Sequence, residues 1–215
     1  KLSVIEDGAQ SFGATYKGQK SCNVSTIGTT SFFPSKPLGC FGDGGAVFTN
    51  DDVLAEKIKS MRLHGQSKRY HHKYIGMGGR LDTLQAAVLS VKIDHYDFDV
   101  SRRQDAASCY SELLKDHVII PFLEDYNTSV WAQYSIRVKN RDSVQEKLKE
   151  NGIPTAVHYP KPLHLPECFL FLGYQLGNFP VSEEISNEIM SLPMNPYITK
   201  KEQDYICKEL INILE

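Results

Sequence analysis

The 215-residue sequence has no large excess of charge of either sign. Lysine and arginine together number 24, aspartate and glutamate 26, and the formal net charge is -2. Nucleic acids and anionic membranes select strongly basic surfaces, so this balance argues against both kinds of partner. We interpret the short basic stretch at Lys68 and Arg69 as a solvated turn.

The cysteines form no recognisable pairs. They are five in number, and no C-x-x-C pattern occurs. Cysteine-based zinc sites and disulfide frameworks use paired cysteines, so we expect reduced thiols, no bound metal and a cytoplasmic protein. No apolar run approaches the roughly 20 residues needed to cross a bilayer. No secretory signal is visible either.

Familiar phosphate-binding loops are also absent. The stretch from Gly39 to Gly45 lacks the Gly-Lys-Ser/Thr ending of a Walker loop and does not fit G-x-G-x-x-G. A tight turn between two strands, with glycines supplying positive φ angles, accounts for the same residues.

Strand-like and helix-like segments alternate along the chain. Strands are predicted at 2–6, 24–33, 46–49, 131–138 and 155–159, and helices at 51–62, 81–91, 99–115, 142–151 and 199–215. Asp51 or Asp52 can cap a helix, Gly152 can end one, and Thr199 with Glu202 forms a capping box. This alternation predicts an α/β protein, and the run at 118–121 marks a change of region.

A carboxylate stands where the first predicted strand ends. The sequence there is Glu6-Asp7-Gly8-Ala9-Gln10. Ligands of α/β sheets bind at the carboxyl ends of strands, which makes Asp7 a candidate site residue. An ordinary turn aspartate fits the same pattern.

A single lysine follows the second predicted strand in a distinctive setting. Lys36 is framed by aromatic, proline and glycine residues in the run Ser31-Phe-Phe-Pro-Ser-Lys-Pro-Leu-Gly39. Apolar walls lower the pKa of an amine, as a Schiff-base lysine requires, and prolines on both sides limit the motion of the backbone. The composition of this stretch fits an ordinary exposed lysine in a loop as an alternative.

The order and spacing of these residues resemble the sugar aminotransferases of the DegT/DnrJ/EryC1/StrS family. The similarity runs through Arg80-Leu-Asp-Thr-Leu-Gln-Ala-Ala87, Gly152-Ile-Pro154 and His158-Tyr-Pro160 and covers essentially the whole chain. The version around Lys36 looks most like enzymes that aminate C3 of a UDP-linked 3-keto-glucuronic acid derivative for surface polysaccharides such as lipopolysaccharide.

The resemblance implies an aspartate-aminotransferase-type fold (fold type I) and pyridoxal 5'-phosphate as cofactor. Residues 1–116 would be the later part of the large cofactor-binding domain, and 117–215 a small C-terminal α/β domain. The family builds each site from two chains, so a homodimer is expected.

The resemblance also implies a role for each matching residue. Lys36 would carry the cofactor and move the proton, and Asp7 would pair with the pyridine nitrogen. Gln10 would lie near the phenolic side of the ring, and Ser31 would bind the phosphate. Arg80 would bind a carboxylate, of the sugar acid or of the amino donor glutamate.

Two further residues, His158 and Tyr159, would line the substrate side, although a purely structural role fits them equally well.

Two departures from the family pattern bear on function. The family carries Asn in a Gly-x-Asn-x-Arg motif that reaches a neighbouring subunit's cofactor phosphate, and here Gly78 takes that place. The sequence also opens in a strand-like run without an initiator Met, and the family's phosphate loop and stacking aromatic are missing. We therefore expect it to be the later part of a longer polypeptide.

Three hypotheses follow from these features. The first is an aminotransferase in its natural context, and the second is a related sugar dehydratase that uses pyridoxamine phosphate. Dehydratases of this kind carry His at the Schiff-base position, so Lys36 argues against the second. The third is a degenerate or truncated paralogue that serves as a binding or assembly partner.

Overall fold

The computed structural model describes residues 2–215 and separates them into two units. The first comprises the described residues up to Ser101 together with Leu123–Ala132, and the second comprises Arg102–Phe122 and Gln133–Glu215. The division thus falls at 101/102, and a later segment returns to the first unit. The predicted large-domain portion, 1–116, starts at Lys1, which lies outside the described residues; its assignment as a domain stays a prediction.

The first unit consists of short strands and helices. Its elements are β1 (Ile5–Asp7), β2 (Thr15–Tyr16), β3 (Gln19–Lys20), β4 (Ile27–Ser31), β5 (Gly45–Phe48), α1 (Asp52–Arg62), β6 (Gln66–Lys68), β7 (His71–His72), α2 (Thr83–Ile93), the beginning of α3 (Tyr96–Leu114) and β8 (Asn127–Thr128). β1 pairs in parallel with β4, and β4 pairs antiparallel with β5. β2 lies between β3 and β8, and β6 and β7 form a hairpin.

An apolar cluster holds α2 and α3 against the loop that follows β4. Its buried members are Phe32, Leu38, Cys40, Leu89 and Tyr96. Burial of apolar side chains is the main favourable contribution to folding, so this cluster fixes the loop that contains Lys36 to the two helices.

The second unit contains the rest of α3, a two-stranded sheet and further helices. Its other elements are β9 (Tyr134–Arg137), α4 (Arg141–Glu150), a 3-10 helix (Glu167–Leu172), α5 (Pro180–Glu188), β10 (Ile189–Leu192) and α6 (Lys200–Leu214). β9 and β10 pair antiparallel. The buried residues of α6 are Gln203, Ile206, Cys207 and Leu210, spaced as one face of a helix.

The local helix signals are confirmed. Asp51 Oδ1 accepts the N–H groups of Val53 and Leu54 at 2.9 and 3.0 Å. Thr199 and Glu202 form the capping box. Gly152, just after α4, has a φ of 74°.

The strand predicted at 155–159 is wrong. That segment makes only an isolated bridge, in which the backbones of Ala156 and Ser191 exchange hydrogen bonds of 3.1 and 2.7 Å. Pro154 and Pro160 flank the segment, and proline has no N–H to donate to a ladder, so the pairing does not extend.

Across residues 2–215, the helices are too short or too polar for any of them to cross a membrane. The five cysteines are free thiols. In the same part of the chain, no group of three or more His, Cys, Asp or Glu side chains is placed to hold a metal ion.

Candidate active site

The candidate site begins at one edge of the β1-β4-β5 sheet. β1 and β4 are parallel, with Asp7 opposite Thr29 and Ser31 two residues further along β4. Parallel neighbours end at the same edge of a sheet, and ligands bind there in α/β proteins. The loops that begin at Gly8 and Phe32 therefore leave the same edge.

Asp7 is exposed at this edge and holds its own turn. Its Oδ1 accepts the N–H of Ala9 at 3.0 Å. Gly8, the residue between them, is buried, and an added Cβ there would lie 2.5 Å from Cys22 Sγ. A side chain at position 8 would therefore force Cys22 to shift. Gln10 is exposed, and its amide makes no hydrogen bond within residues 2–215.

The neighbouring Glu6 has a different role, which the sequence analysis missed. Its Oε1 accepts the N–H of Cys22 at 2.7 Å and the hydroxyl of Ser21 at 3.1 Å, and its Oε2 accepts the N–H of Val24 at 3.2 Å. Side chains of successive strand residues point to opposite faces. Glu6 therefore supports the loop at 21–24, and Asp7 is left for a ligand.

The loop that carries Lys36 is closed by short-range hydrogen bonds. Ser31 Oγ accepts the N–H of Phe33 at 3.2 Å, and Phe33 O accepts the N–H of Lys36 at 2.9 Å. Pro34 occupies the position of this turn that its fixed φ suits. An added Cβ at Gly39 would lie 2.7 Å from the carbonyl oxygens of both Phe33 and Pro34, so the loop folds tightly on itself.

Lys36 is half-buried, and its ammonium makes no hydrogen bond or ion pair within residues 2–215. The aromatic surroundings differ from the expectation. Phe32 is buried in the apolar cluster, Phe33 is 48% exposed, and neither ring makes a cation–π contact with Lys36 in that part of the chain. The ammonium of Lys36 is thus unpaired within residues 2–215, and neither of these two rings encloses it.

Arg80 follows a glycine-rich turn that is hydrogen-bonded to the end of α1. Gly79 donates its N–H to Arg62 O at 2.9 Å, and Met77 donates to Met61 O at 2.8 Å. Arg80 itself is exposed, and its guanidinium has no hydrogen-bond or ion-pair partner in residues 2–215.

Gly78 lies in the same turn, against His64. An added Cβ at Gly78 would be 3.0 Å from His64 Cε1, so the imidazole borders the space that a side chain would enter.

His158 and Tyr159 belong to the second unit. His158 Nδ1 lies 3.1 Å from the hydroxyl of Ser191, which in turn lies 2.9 Å from the hydroxyl of Ser135. Tyr159 is 68% exposed, and its ring meets that of His158 edge to face at 5.7 Å. The peptide bond between these two residues is cis.

A cavity of about 1390 Å³ in the first unit is not this site. Its lining is mainly apolar, with Phe12, Phe48, Ile58 and Met61 among the residues, and includes none of the predicted site residues. The site is defined by the strand ends and their loops.

Comparison with known proteins identifies the family. The profile of the DegT/DnrJ/EryC1/StrS aminotransferase family matches residues 1–211. The chain belongs to this family. Members of the DegT/DnrJ/EryC1/StrS family bind pyridoxal phosphate. The family match includes the candidate site residues of the first unit, which are Asp7, Gln10, Ser31, Lys36 and Arg80.

Individual relatives agree with this assignment. The chain is 50% identical over 212 residues to the UDP-2-acetamido-2-deoxy-3-oxo-D-glucuronate aminotransferase of Pseudomonas aeruginosa, covering 98% of this chain and 58% of the relative. The structure of S. venezuelae DesV in complex with a ketimine intermediate matches with a TM-score of 0.96 at 34% identity, over 100% of this chain and 58% of that one.

A DegT DnrJ EryC1 StrS aminotransferase from Brucella abortus matches with a TM-score of 0.93 at 42% identity, over 99% of this chain and 57% of that one. The α/β fold therefore matches that of aminotransferases of fold type I, as predicted. The chain spans somewhat more than half the length of the relatives that it matches.

Proposed function

We propose that the full-length protein transfers an amino group from glutamate to a nucleotide-linked keto sugar, with pyridoxal 5'-phosphate as cofactor. The observation that carries this proposal is the shared edge of β1 and β4. There, Asp7 and Ser31 are the last residues of two neighbouring parallel strands, and the Lys36 loop follows the second of them. Similarity to named sugar aminotransferases supports the same reaction.

The chemical groups at this edge suit pyridoxal phosphate. The aldehyde of pyridoxal phosphate binds covalently to a primary amine, and the amine of Lys36 has no competing partner within residues 2–215. A pyridine nitrogen needs an anionic acceptor, and Asp7 keeps its second carboxylate oxygen free of hydrogen bonds in the same residues. A phosphate needs donors, and the Ser31 hydroxyl retains its proton after accepting from Phe33.

Each residue then has a defined task. When bound, pyridoxal phosphate supplies a carbon that accepts the amino group and a ring that takes up the electron pair of a broken C–H bond. Lys36 would hold the cofactor between turnovers and would carry the proton removed from the donor's α-carbon. Asp7 keeps the pyridine nitrogen protonated, Ser31 binds the phosphate, and Gln10 contacts the phenolic side of the ring.

The substrate we propose is a UDP-linked 3-keto-glucuronic acid derivative. Arg80 presents a free guanidinium, which binds a carboxylate through two parallel hydrogen bonds. The stretch from Arg62 to Arg80 contains Lys, Arg and His but no Asp or Glu, which favours an anionic substrate. His158 and Tyr159 contact the sugar in this proposal.

We also propose a cytoplasmic homodimer that acts in the biosynthesis of surface polysaccharides such as lipopolysaccharide. A nucleotide-linked sugar acid is an activated precursor for such polymers. The free thiols fit a reducing compartment. On α2, Leu84 and Val91 are 79% and 64% exposed, and these apolar side chains favour contact with a second copy.

Borohydride trapping on the full-length protein tests the proposal. Cofactor-loaded protein is reduced, digested and mapped by mass spectrometry, with Lys36→Arg as the matched variant. A pyridoxyl adduct on the Lys36 peptide, absent from the variant, is the expected result. A folded full-length protein that forms no adduct with added cofactor would overturn the transaminase proposal.

A non-catalytic paralogue is the second candidate function. The observation that favours it is Gly78 at the position of the family's Asn, which removes a side-chain donor. Such a protein would act as a binding or assembly partner. It would fail the trapping experiment while keeping its native fold by circular dichroism.

A further inference from the structure

The loop behind Lys36 is held by one helix of the first unit. Phe41 donates its N–H to Gln85 Oε1 at 2.8 Å, and the ammonium of Lys92 donates to Gly39 O at 2.6 Å. Gln85 and Lys92 are seven residues apart on α2, which places them on one face, two turns from each other. Both side chains therefore reach the same short segment, 39–41.

Lys92 makes this contact at a cost in hydration and side-chain freedom. It is half-buried, its ammonium lies 5.1 Å from the centre of the Phe41 ring, and it has no carboxylate partner within residues 2–215. A long cationic side chain normally keeps its charged end exposed to water. Here the charge is directed at a backbone carbonyl and an aromatic face of the same loop.

The side chain of Gln85 also contacts this loop closely. An added Cβ at Gly42 would lie 3.0 Å from Gln85 Nε2, so the amide fits closely over the turn. Leu89, between Gln85 and Lys92, packs in the cluster that contains Leu38 and Cys40. The helix thus holds segment 39–41 by an apolar contact flanked by two polar ones, three residues after Lys36.

We propose that Gln85 and Lys92 are positioning residues that hold segment 39–41 and thereby the amine of Lys36. They touch neither substrate nor cofactor and act only through the loop. This inference rests on the proposed function for the role of Lys36. It predicts that loosening either contact alters the reactivity of that one lysine.

The test uses competitive labelling of lysines with acetic anhydride in cofactor-free full-length protein, read peptide by peptide. Gln85→Met and Lys92→Met remove the two contacts, whereas Gln85→Glu keeps an acceptor oxygen and Lys92→Arg keeps a cationic donor. Ser90→Ala on the exposed side of α2 and Lys149→Met in the second unit serve as matched controls. Hydrogen exchange of the Phe41 amide is measured in parallel.

The two Met variants should raise labelling at Lys36 and exchange at Phe41 by roughly two- to tenfold, the factor expected for one net hydrogen bond. The conservative variants should restore wild-type values, and the controls and other lysines should not change. In cofactor-loaded enzyme, kcat should fall with little change in KM.

Faster exchange at Phe41 with unchanged labelling at Lys36 would overturn the positioning role, as would equal effects on all lysines. The labelling needs no cofactor. A wild-type protein that fails to trap pyridoxal phosphate would therefore refute the proposed function separately.

Discussion

Glu6 and Asp7 are neighbours at the end of β1, yet their carboxylates have different partners. Glu6 accepts three hydrogen bonds from the loop at 21–24, the shortest being 2.7 Å from the N–H of Cys22. Asp7 accepts a single one, from the N–H of Ala9 at 3.0 Å. One carboxylate supports the structure, and the other remains open to a ligand.

Replacing Glu6 with Gln should destabilise the protein without removing its chemistry. The amide keeps one acceptor oxygen where the carboxylate uses both, and it loses the charge. Hydrogen bonds to charged groups contribute about 1.5–3 kcal/mol, so we expect the free energy of unfolding to fall by about that amount. Urea denaturation of the full-length protein measures it, and an unchanged midpoint at unchanged slope would contradict the assignment.

Asp7→Asn should do the opposite and lower the activity with little effect on stability. The carboxylate makes only one local hydrogen bond, so stability should change little. Loss of a charge-assisted hydrogen bond to the pyridine nitrogen should lower kcat by roughly 10- to 100-fold. Steady-state kinetics alongside urea denaturation separates the two effects, and full activity in the variant would show that Asp7 does not serve the cofactor.

Gly78→Asn should tighten cofactor binding in the full-length protein. The new side chain restores a donor at the family's position, and the His64 imidazole, 3.0 Å from the added Cβ, must shift to admit it. One hydrogen bond corresponds to roughly two- to tenfold in affinity. Absorbance titration with pyridoxal phosphate gives the dissociation constant. Gly78→Ala adds the Cβ alone as a control, and equal or weaker binding by the Asn variant counts against the idea.

The carboxylate of Glu183 should make stability depend on pH. Burial raises the pKa of Glu183, but the N–H groups of Gly177 and Phe179 and the side chain of His164 outweigh it and hold that pKa below its usual value. A group whose pKa is lower in the folded state stabilises the protein when ionised. Its contribution is complete above the unfolded pKa of about 4.3 and is lost as the pH falls through the folded value.

We therefore expect Glu183→Gln to lower the urea midpoint at neutral pH, and we expect the difference from wild type to shrink as the pH falls below the unfolded pKa and through the lower folded one. Glu167→Gln, at an exposed glutamate in the 3-10 helix, provides the control. A difference that stays constant between neutral and acid pH would show that the carboxylate's charge is not responsible.

Local signals in the sequence predicted much of the fold. Asp51, Gly152 and Thr199 mark helix ends through contacts with residues two or three positions away, so neighbouring letters suffice to recognise them. The segment at 155–159 shows the limit of such signals. Its β-prone residues suggested a strand, but its one bridge depends on Ser191, more than thirty residues later.

The order of Asp7, Ser31 and Lys36 at the ends of strand-like runs was readable from the sequence by itself, as were the family and the fold class. Only the tertiary structure decided which of Glu6 and Asp7 stays open, where the His64 ring lies against Gly78, and which helix holds the Lys36 loop. The contacts of Gln85 and Lys92 join residues 44 and 53 positions apart. Such contacts exist only once the apolar cluster has packed α2 against the loop, because no local preference brings these residues together.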